Sequence, residues 1–153
     1  MAVGTGSARK LVVVLDDDPG VLKAVQRLLT AAGFDCELFS SAQDFEIRAR
    51  LDSALCLVLD INLNGESGID VRRKLSATWP LIPVIFITAN DSDGARKAAM
   101  DAGCIAYVAK PFSAETLVNA VGKANAVDAL ILTIRSNTTQ PASDRGKRRE
   151  ASL

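Results

Sequence analysis

The sequence predicts a doubly wound α/β fold, a three-layer sandwich in which a parallel sheet lies between two layers of helices. Two observations predict it. Apolar runs rich in β-branched residues alternate five times with segments whose apolar residues recur at helical spacing, and the connections are short. Because parallel crossovers are right-handed, this alternation places helices on both faces of the sheet.

The first two strand–helix units set the pattern. Residues 10–16 (KLVVVLD) form a continuous apolar run, which is typical of a strand buried on both faces. Apolar residues at helical spacing then lead to Gly33, a stop signal, and predict the first helix. Residues 34–40 predict the second strand, and 41–50 a short helix that Ser41 opens.

The remaining three units repeat this pattern. Residues 54–60 (ALCLVLD) predict a second fully apolar strand. A loop with Gly65 and Gly68 leads into a helix that runs to about Trp79. The last elements are predicted as the strand 82–88, the helix 91–102, the strand 104–109 and a helix from Ser113 to about residue 127.

Composition bounds the domain organisation. We expect a flexible lead over 1–9, one domain over 10–127, and an appended segment over 128–153. That segment starts by prolonging the last helix or by forming an apolar contact. From residue 136 it is polar without periodicity and is predicted to be disordered. The basic residues of this segment are expected to form a solvated tail. We also expect no nucleic-acid contact through the domain.

The balance of residue types excludes several classes of function. Lys plus Arg and Asp plus Glu both number 18, so no global field steers the chain to nucleic acid or membrane. We see no signal-peptide pattern and no apolar run near the roughly 20 residues of a spanning helix. The three cysteines are widely spaced in apolar stretches and are expected to be reduced core residues, which predicts a cytoplasmic protein. The histidine count is 0, which excludes histidine-based nucleophilic triads and histidine metal sites.

Polar groups stand where four of the five predicted strands end. The first strand ends in the run Asp16, Asp17 and Asp18, the third in Asp60, the fourth in Thr88 and the fifth in Lys110. In a parallel sheet these groups crowd one edge, where such folds bind ligands. Carboxylates suit Mg²⁺, and a cation with a lysine supplies the charge neutralisation that phosphoryl transfer needs.

At these positions the sequence closely resembles the receiver domain of bacterial two-component response regulators. The matching pieces are VVLDDDP, LVLDINL, FITA and YVAKPF, in that order, and the resemblance covers roughly residues 9–127. It implies a flavodoxin-like (βα)5 fold with strand order 2-1-3-4-5. It also implies a phosphorelay protein that accepts a phosphoryl group, acts on no separate substrate and is not an enzyme.

The resemblance implies a role for each site residue. Asp60 is the phosphoacceptor. Asp17 is the direct ligand of Mg²⁺ (or Mn²⁺) and Asp16 a less direct one, with Asp60 and the backbone carbonyl of Asn62 completing the protein ligands. Lys110 pairs with Asp60 and then with the phosphoryl oxygens.

Two residues are implied to form the switch. Thr88 donates its hydroxyl to the phosphoryl group and moves toward it, and Tyr107 turns inward as Thr88 moves. The surface of the fourth helix, fifth strand and fifth helix changes as a result. The implied partners are a sensor histidine kinase or a histidine phosphotransfer protein, and a downstream protein or output domain, with a homodimer left open. The Lys110–Pro111 bond is expected to be cis.

The sequence departs from the family pattern after the acceptor. Leu63 and Asn64 stand where many receivers carry Met-Pro, so we expect a less constrained loop. Asn62 and Asn90 occupy positions that tune acyl-phosphate lifetime in the family. Asp18, which precedes Pro19, is predicted to cap the first helix rather than to hold a cation.

Two other functions compete with this interpretation. Asp16-x-Asp18 is also the nucleophile pattern of haloacid-dehalogenase-type phosphatases, but that interpretation leaves Asp60 unexplained and lacks a later acidic pair. The other is a receiver-fold interaction module that is regulated without phosphorylation.

Overall fold

A five-stranded parallel sheet forms the centre of the molecule. The computed structural model describes the backbone of residues 9–151 and the side chains of residues 9–137. The expected flexible lead over 1–9 lies, apart from Arg9, outside the described residues. The strands are β1 Leu11–Leu15, β2 Asp35–Phe39, β3 Ala54–Asp60, β4 Val84–Thr88 and β5 Ala106–Ala109. They are paired in the order β2-β1-β3-β4-β5, all parallel.

Helices lie on both faces of this sheet. They are α1 Pro19–Ala31, α2 Ala42–Arg48, α3 Gly68–Leu75, α4 Asp93–Asp101 and α5 Ala114–Ala151, with a 3₁₀ turn at Leu51–Ser53. Asp18 caps α1 as predicted, since its side chain accepts from the Gly20 N–H at 2.8 Å. The expected extension of the third helix to Trp79 is wrong: α3 ends at Leu75 and a turn follows over 76–78. Pro80 in addition disfavours helical backbone at Trp79, the residue before it.

Two apolar cores hold the layers together. One packs α1 and α5 against the sheet and includes the fully buried Val12, Val14 and Leu117. The other packs α2, α3 and α4 against the opposite face and includes Phe45 and Phe86. β1 is buried along its whole length, as its unbroken apolar run predicts.

The cysteines are free and belong to these apolar surroundings, as predicted. Cys56 is buried, whereas Cys36 and Cys104 are partly buried. Burial raises the pKa of Cys56 to about 12 and that of Cys36 to about 11, so both are inert thiols at neutral pH.

The connection after β3 is more ordered than the predicted loop. Residues Asn62–Leu63 and Glu66–Ser67 pair as a short antiparallel hairpin. Gly65 takes a positive φ of 77° at its tip, a conformation that glycine adopts without strain. The hairpin joins the end of β3 directly to the start of α3.

The last helix is longer than predicted. Its backbone stays helical to Ala151, through the segment from 136 that the sequence predicts to be disordered. Extending a formed helix adds one hydrogen bond per residue, except at Pro141, which has no N–H to donate. The basic side chains of the expected tail lie outside the described side chains. The predicted end of the domain at residue 127 stays a prediction.

The first part of α5 is also apolar. Ala114–Asn137 is 24 residues of helix, and an 18-residue stretch within it has a mean hydropathy of 1.4, which is long and apolar enough to cross a membrane by length and composition alone. The sequence analysis looked for an uninterrupted apolar run and missed this helix because Lys123 and Asp128 break the run. Core helices of soluble proteins meet the same criterion when they are mostly buried, but only 22% of this stretch is buried. Leu117, Ala120, Val121 and Ala124 are buried in the core, whereas Leu130, Leu132 and Ile134 are exposed.

Candidate functional site

The predicted polar groups meet at the carboxyl edge of the sheet. Asp16 directly follows β1, Asp60 ends β3, Thr88 ends β4 and Lys110 directly follows β5. Asp16 and Thr88 are fully buried, and Asp60 is 3% exposed. Buried polar groups need partners, and each of these residues has them within the site.

Lys110 joins the first and third strands through its ammonium group. Its Nζ lies 2.7 Å from Asp16 Oδ2 and 3.2 Å from Asp60 Oδ2. The Lys110 side chain is only 15% exposed, so these ion pairs are weakly screened. The bond that follows, Lys110–Pro111, is cis as expected.

Three carboxylates form a cluster beside this lysine. Oxygens of Asp16, Asp17 and Asp60 lie within 4.8 Å of one another. Asp16 already accepts from the Asp18 N–H at 2.8 Å and from Lys110, whereas Asp17 is only partly buried and points into the same cluster. Hard oxygen donors at this density, with excess negative charge, fit a Mg²⁺ or Mn²⁺ ion.

The charges at this edge shift the pKa values of Asp60 and Lys110. Burial raises the pKa of Asp60 above its usual value, and the negative charge of Asp16 adds to this, while the Asn62 N–H and Lys110 act in the opposite direction. For Lys110, burial alone would lower the pKa, but the hydrogen bonds and charges of Asp16 and Asp60 outweigh it and raise the pKa. Lys110 is therefore an ammonium at neutral pH.

A family model for the response regulator receiver domain matches residues 12–122. The chain belongs to this family. The five-stranded flavodoxin-like sheet and the strand order implied by the resemblance are thereby confirmed. Response regulators are signalling proteins that work with sensor kinases and output domains.

Known receivers resemble the chain in sequence and in fold. The response regulator protein TodT of Pseudomonas putida is 35% identical over 111 residues, which are 72% of this chain and 49% of that protein. A receiver domain of Clostridium thermocellum has a TM-score of 0.72 at 25% identity, covering 80% of this chain and 98% of that one. The response regulator StyR has a TM-score of 0.70 at 34% identity, covering 95% of this chain and 71% of that one. The chain thus spans about half the length of the curated relative TodT.

Asp18 lies outside the carboxylate cluster of this receiver. Its side chain caps α1 instead of facing Asp60. An Asp16-x-Asp18 pair acting on one substrate, as in the phosphatase alternative, therefore has no support from the geometry.

Asn62 and Asn90 surround the hydroxyl of Thr88. Asn62 Nδ2 donates to Thr88 Oγ1 at 3.1 Å, and the Asn90 backbone N–H donates to the same oxygen at 3.0 Å. The Asn62 backbone N–H also donates to Asp60 Oδ1 at 3.1 Å. Sequence reasoning gave Asn62 a carbonyl role and a position that tunes acyl-phosphate lifetime, but it missed the contact with Thr88, because the direction of a loop side chain leaves no periodic signal.

Tyr107 lies at the edge of the receiver's site, among groups of α4. Its hydroxyl donates to Asp91 Oδ1 at 3.0 Å, and the Arg96 guanidinium lies 4.8 Å from its ring centre. Arg96 also pairs with Asp91 at 3.1 Å. Burial raises the pKa of Tyr107, and the hydrogen bond and charge of Asp91 add to the rise. Sequence reasoning missed Asp91 and Arg96 as partners of this tyrosine.

Gly68 is a second residue whose importance sequence reasoning missed. A Cβ at this position would overlap the carbonyl oxygen of Asp60 and lie 2.9 Å from its carbonyl carbon. The Gly68 N–H donates to the Ile61 carbonyl at 2.9 Å. The start of α3 therefore packs directly on the backbone of Asp60, which only a glycine allows. The signal in the sequence that could have indicated this close contact is a glycine near Asp60, at the first position of the following helix.

Proposed function

We propose that this receiver accepts a phosphoryl group onto Asp60 from a phosphohistidine of a sensor kinase or phosphotransfer protein. The observation that carries the proposal is the convergence of Asp16, Asp17 and Asp60 on one edge with the Lys110 ammonium between two of them. Such a set offers one nucleophilic carboxylate, two further carboxylates for a cation and one fixed positive charge.

The step transfers one phosphoryl group without an oxidant or reductant. A carboxylate oxygen of Asp60 attacks phosphorus, the P–O bond of an acyl phosphate forms, and the P–N bond to the donor histidine breaks with its electron pair leaving on nitrogen. Lys110 then faces the added phosphoryl oxygens, while its contact with Asp16 keeps it in place. None of the 153 residues is a histidine, so the phosphohistidine donor lies outside this sequence.

A divalent cation completes the chemistry. Asp17 and Asp60 would hold Mg²⁺ or Mn²⁺, with Asp16 acting less directly and the Asn62 carbonyl as a further ligand. When bound, the ion neutralises charge on the transferring phosphoryl group. Without it, the three carboxylates repel one another and the incoming phosphate.

The output follows from movement of Thr88 and Tyr107. Thr88 shifts to donate its hydroxyl to the phosphoryl group, and Tyr107 leaves Asp91 to turn inward. The surface of α4, β5 and α5 then changes for a downstream protein, an output domain or a second copy of the chain. We place this reaction in the cytoplasm and expect no turnover of a separate substrate.

Incubation with acetyl phosphate and Mg²⁺, followed by intact-mass spectrometry, tests the proposal. Wild type should gain the mass of one phosphoryl group per molecule. It should gain none when Mg²⁺ is chelated beforehand. Asp60→Asn should gain none, whereas the surface change Asp52→Asn should behave as wild type. Labelling of Asp60→Asn to the wild-type level would refute the proposal, and steady release of phosphate from p-nitrophenyl phosphate would favour a phosphatase.

A further inference from the structure

The Thr88 hydroxyl is held by two donors in the unphosphorylated chain. Asn62 Nδ2 and the Asn90 backbone N–H both donate to its oxygen, at 3.1 and 3.0 Å. A hydroxyl oxygen accepts at two lone-pair positions, so both are filled and only the proton remains to be donated. Thr88 is fully buried, so water does not readily take the place of a lost hydrogen-bond partner, and the loss of one costs free energy.

The two donors differ in their attachment to the chain. Asn90 lies two residues beyond Thr88 on the same segment, and its N–H travels with it. Asn62 belongs to the hairpin after β3, where it pairs with Ser67, the residue that caps α3. Its own N–H is also bonded to Asp60 Oδ1. The Asn62 amide therefore ties Thr88 to a part of the molecule that has no reason to move with it.

We propose that Asn62 is a positioning residue that retains Thr88 in its resting place. The move of Thr88 toward a phosphoryl group on Asp60 breaks the bond from Asn62 Nδ2 and keeps the bond from Asn90. This inference rests on the proposed phosphoacceptor function and assigns the Asn62 side chain an effect on the equilibrium of activation. Asn62 is exposed on its outer side, so its substitution leaves the core intact.

Binding of beryllofluoride, an analogue of the acyl phosphate, measures this equilibrium. We would titrate the Mg²⁺-loaded protein with beryllofluoride and follow the methyl resonances of residue 88 by NMR, which both threonine and valine provide. Asn62→Ala should bind beryllofluoride about three- to fivefold more tightly than wild type, which corresponds to the net free-energy contribution of one hydrogen bond. Asn64→Ala is the matched control, because it makes the same truncation at an exposed position of the same hairpin, and it should bind beryllofluoride as wild type does.

A double-mutant cycle isolates the contact between the two residues. Thr88→Val keeps the side-chain shape and removes the hydroxyl, so adding Asn62→Ala to it should change the affinity by less than about 1.5-fold if the effect runs through that hydroxyl. Equal or weaker binding by Asn62→Ala, or the same gain in the Thr88→Val background, overturns the inference and leaves the acceptor function standing. Failure of the wild type to bind beryllofluoride overturns the phosphoacceptor function, and this inference with it.

Discussion

The ammonium of Lys110 lies closer to Asp16 than to Asp60, at 2.7 Å against 3.2 Å. Asp16 is fully buried and accepts a second hydrogen bond from the Asp18 N–H, so it is a fixed partner for the lysine. Asp60, the proposed acceptor, consequently does not have to hold Lys110 in place. Its charge is free to change during a reaction while the lysine stays at the site.

Replacing Asp60 by Asn should stabilise the metal-free protein. The pKa of Asp60 is raised, mainly by burial, so this group favours folding below its ordinary pKa of about 3.9 and loses that contribution as pH rises through the folded value. At pH 7 its charge therefore opposes folding. Urea unfolding in EDTA should give Asp60→Asn a free energy of unfolding higher by on the order of 1 kcal/mol.

Two comparisons check this explanation. The gain should shrink as pH falls toward the ordinary carboxyl pKa, and Asp52→Asn, which removes an exposed acid, should show no gain. A destabilised Asp60→Asn at pH 7 would show that the pairing with Lys110 outweighs the burial of the carboxylate.

Gly68→Ala should damage the acceptor loop. The added Cβ overlaps the Asp60 carbonyl, so the start of α3 or the end of β3 has to shift. We expect a loss of about 1–3 kcal/mol in unfolding free energy, as for other overpacked sites, and slower phosphorylation by acetyl phosphate. Gly94→Ala is the matched control, since it also lies in the first turn of a helix and its Cβ would meet no atom within 4 Å. Similar effects from both substitutions would contradict the packing explanation.

Mg²⁺ should stabilise the folded chain through Asp17 and not through Asp18. A ligand that binds only the folded state adds about 2.7 kcal/mol at 100 times its dissociation constant. In thermal denaturation, Asp17→Asn should lose most of the Mg²⁺-dependent rise in Tm. Asp18→Asn should keep it, because asparagine also caps α1. Equal loss in the two variants would refute this division of roles between neighbouring acids.

Asp91→Ala should lower the pKa of Tyr107. Burial contributes most to the raised pKa, and the hydrogen bond to Asp91 and its charge contribute the rest, so the variant should fall only part of the way toward the ordinary value of about 10. Tyr107 is the single tyrosine of the chain, so phenolate absorbance reports on it alone. Asp101→Ala, at the far end of α4, should leave the titration unchanged. An unchanged titration in Asp91→Ala would mean that the Tyr107–Asp91 contact does not form in solution.

The sequence predicted the sheet and the gathering of Asp16, Asp60, Thr88 and Lys110 for one physical reason. Each residue ends a strongly apolar strand, and parallel strands bring their carboxyl ends to one edge. The pattern of apolar residues along each strand is local, so it is readable without the rest of the fold.

The missed features depend on segments that are distant along the chain. The Asn62–Thr88 bond spans 26 residues and depends on the direction of a side chain in a hairpin. The overlap at Gly68 depends on how closely α3 approaches β3. The length of α5 was missed because polar composition limits burial but does not forbid helical backbone.

Direct identification of the phosphorylated residue tests the central claim. The protein would be phosphorylated with acetyl phosphate and Mg²⁺ and reduced with borohydride, which converts an aspartyl phosphate into homoserine, and its peptides would be sequenced by mass spectrometry. We predict homoserine at position 60 in the phosphorylated sample and not in a sample without acetyl phosphate. Homoserine at Asp16 or Asp17 with Asp60 unchanged, or none in the chain, would contradict the assignment of Asp60 as the phosphoacceptor.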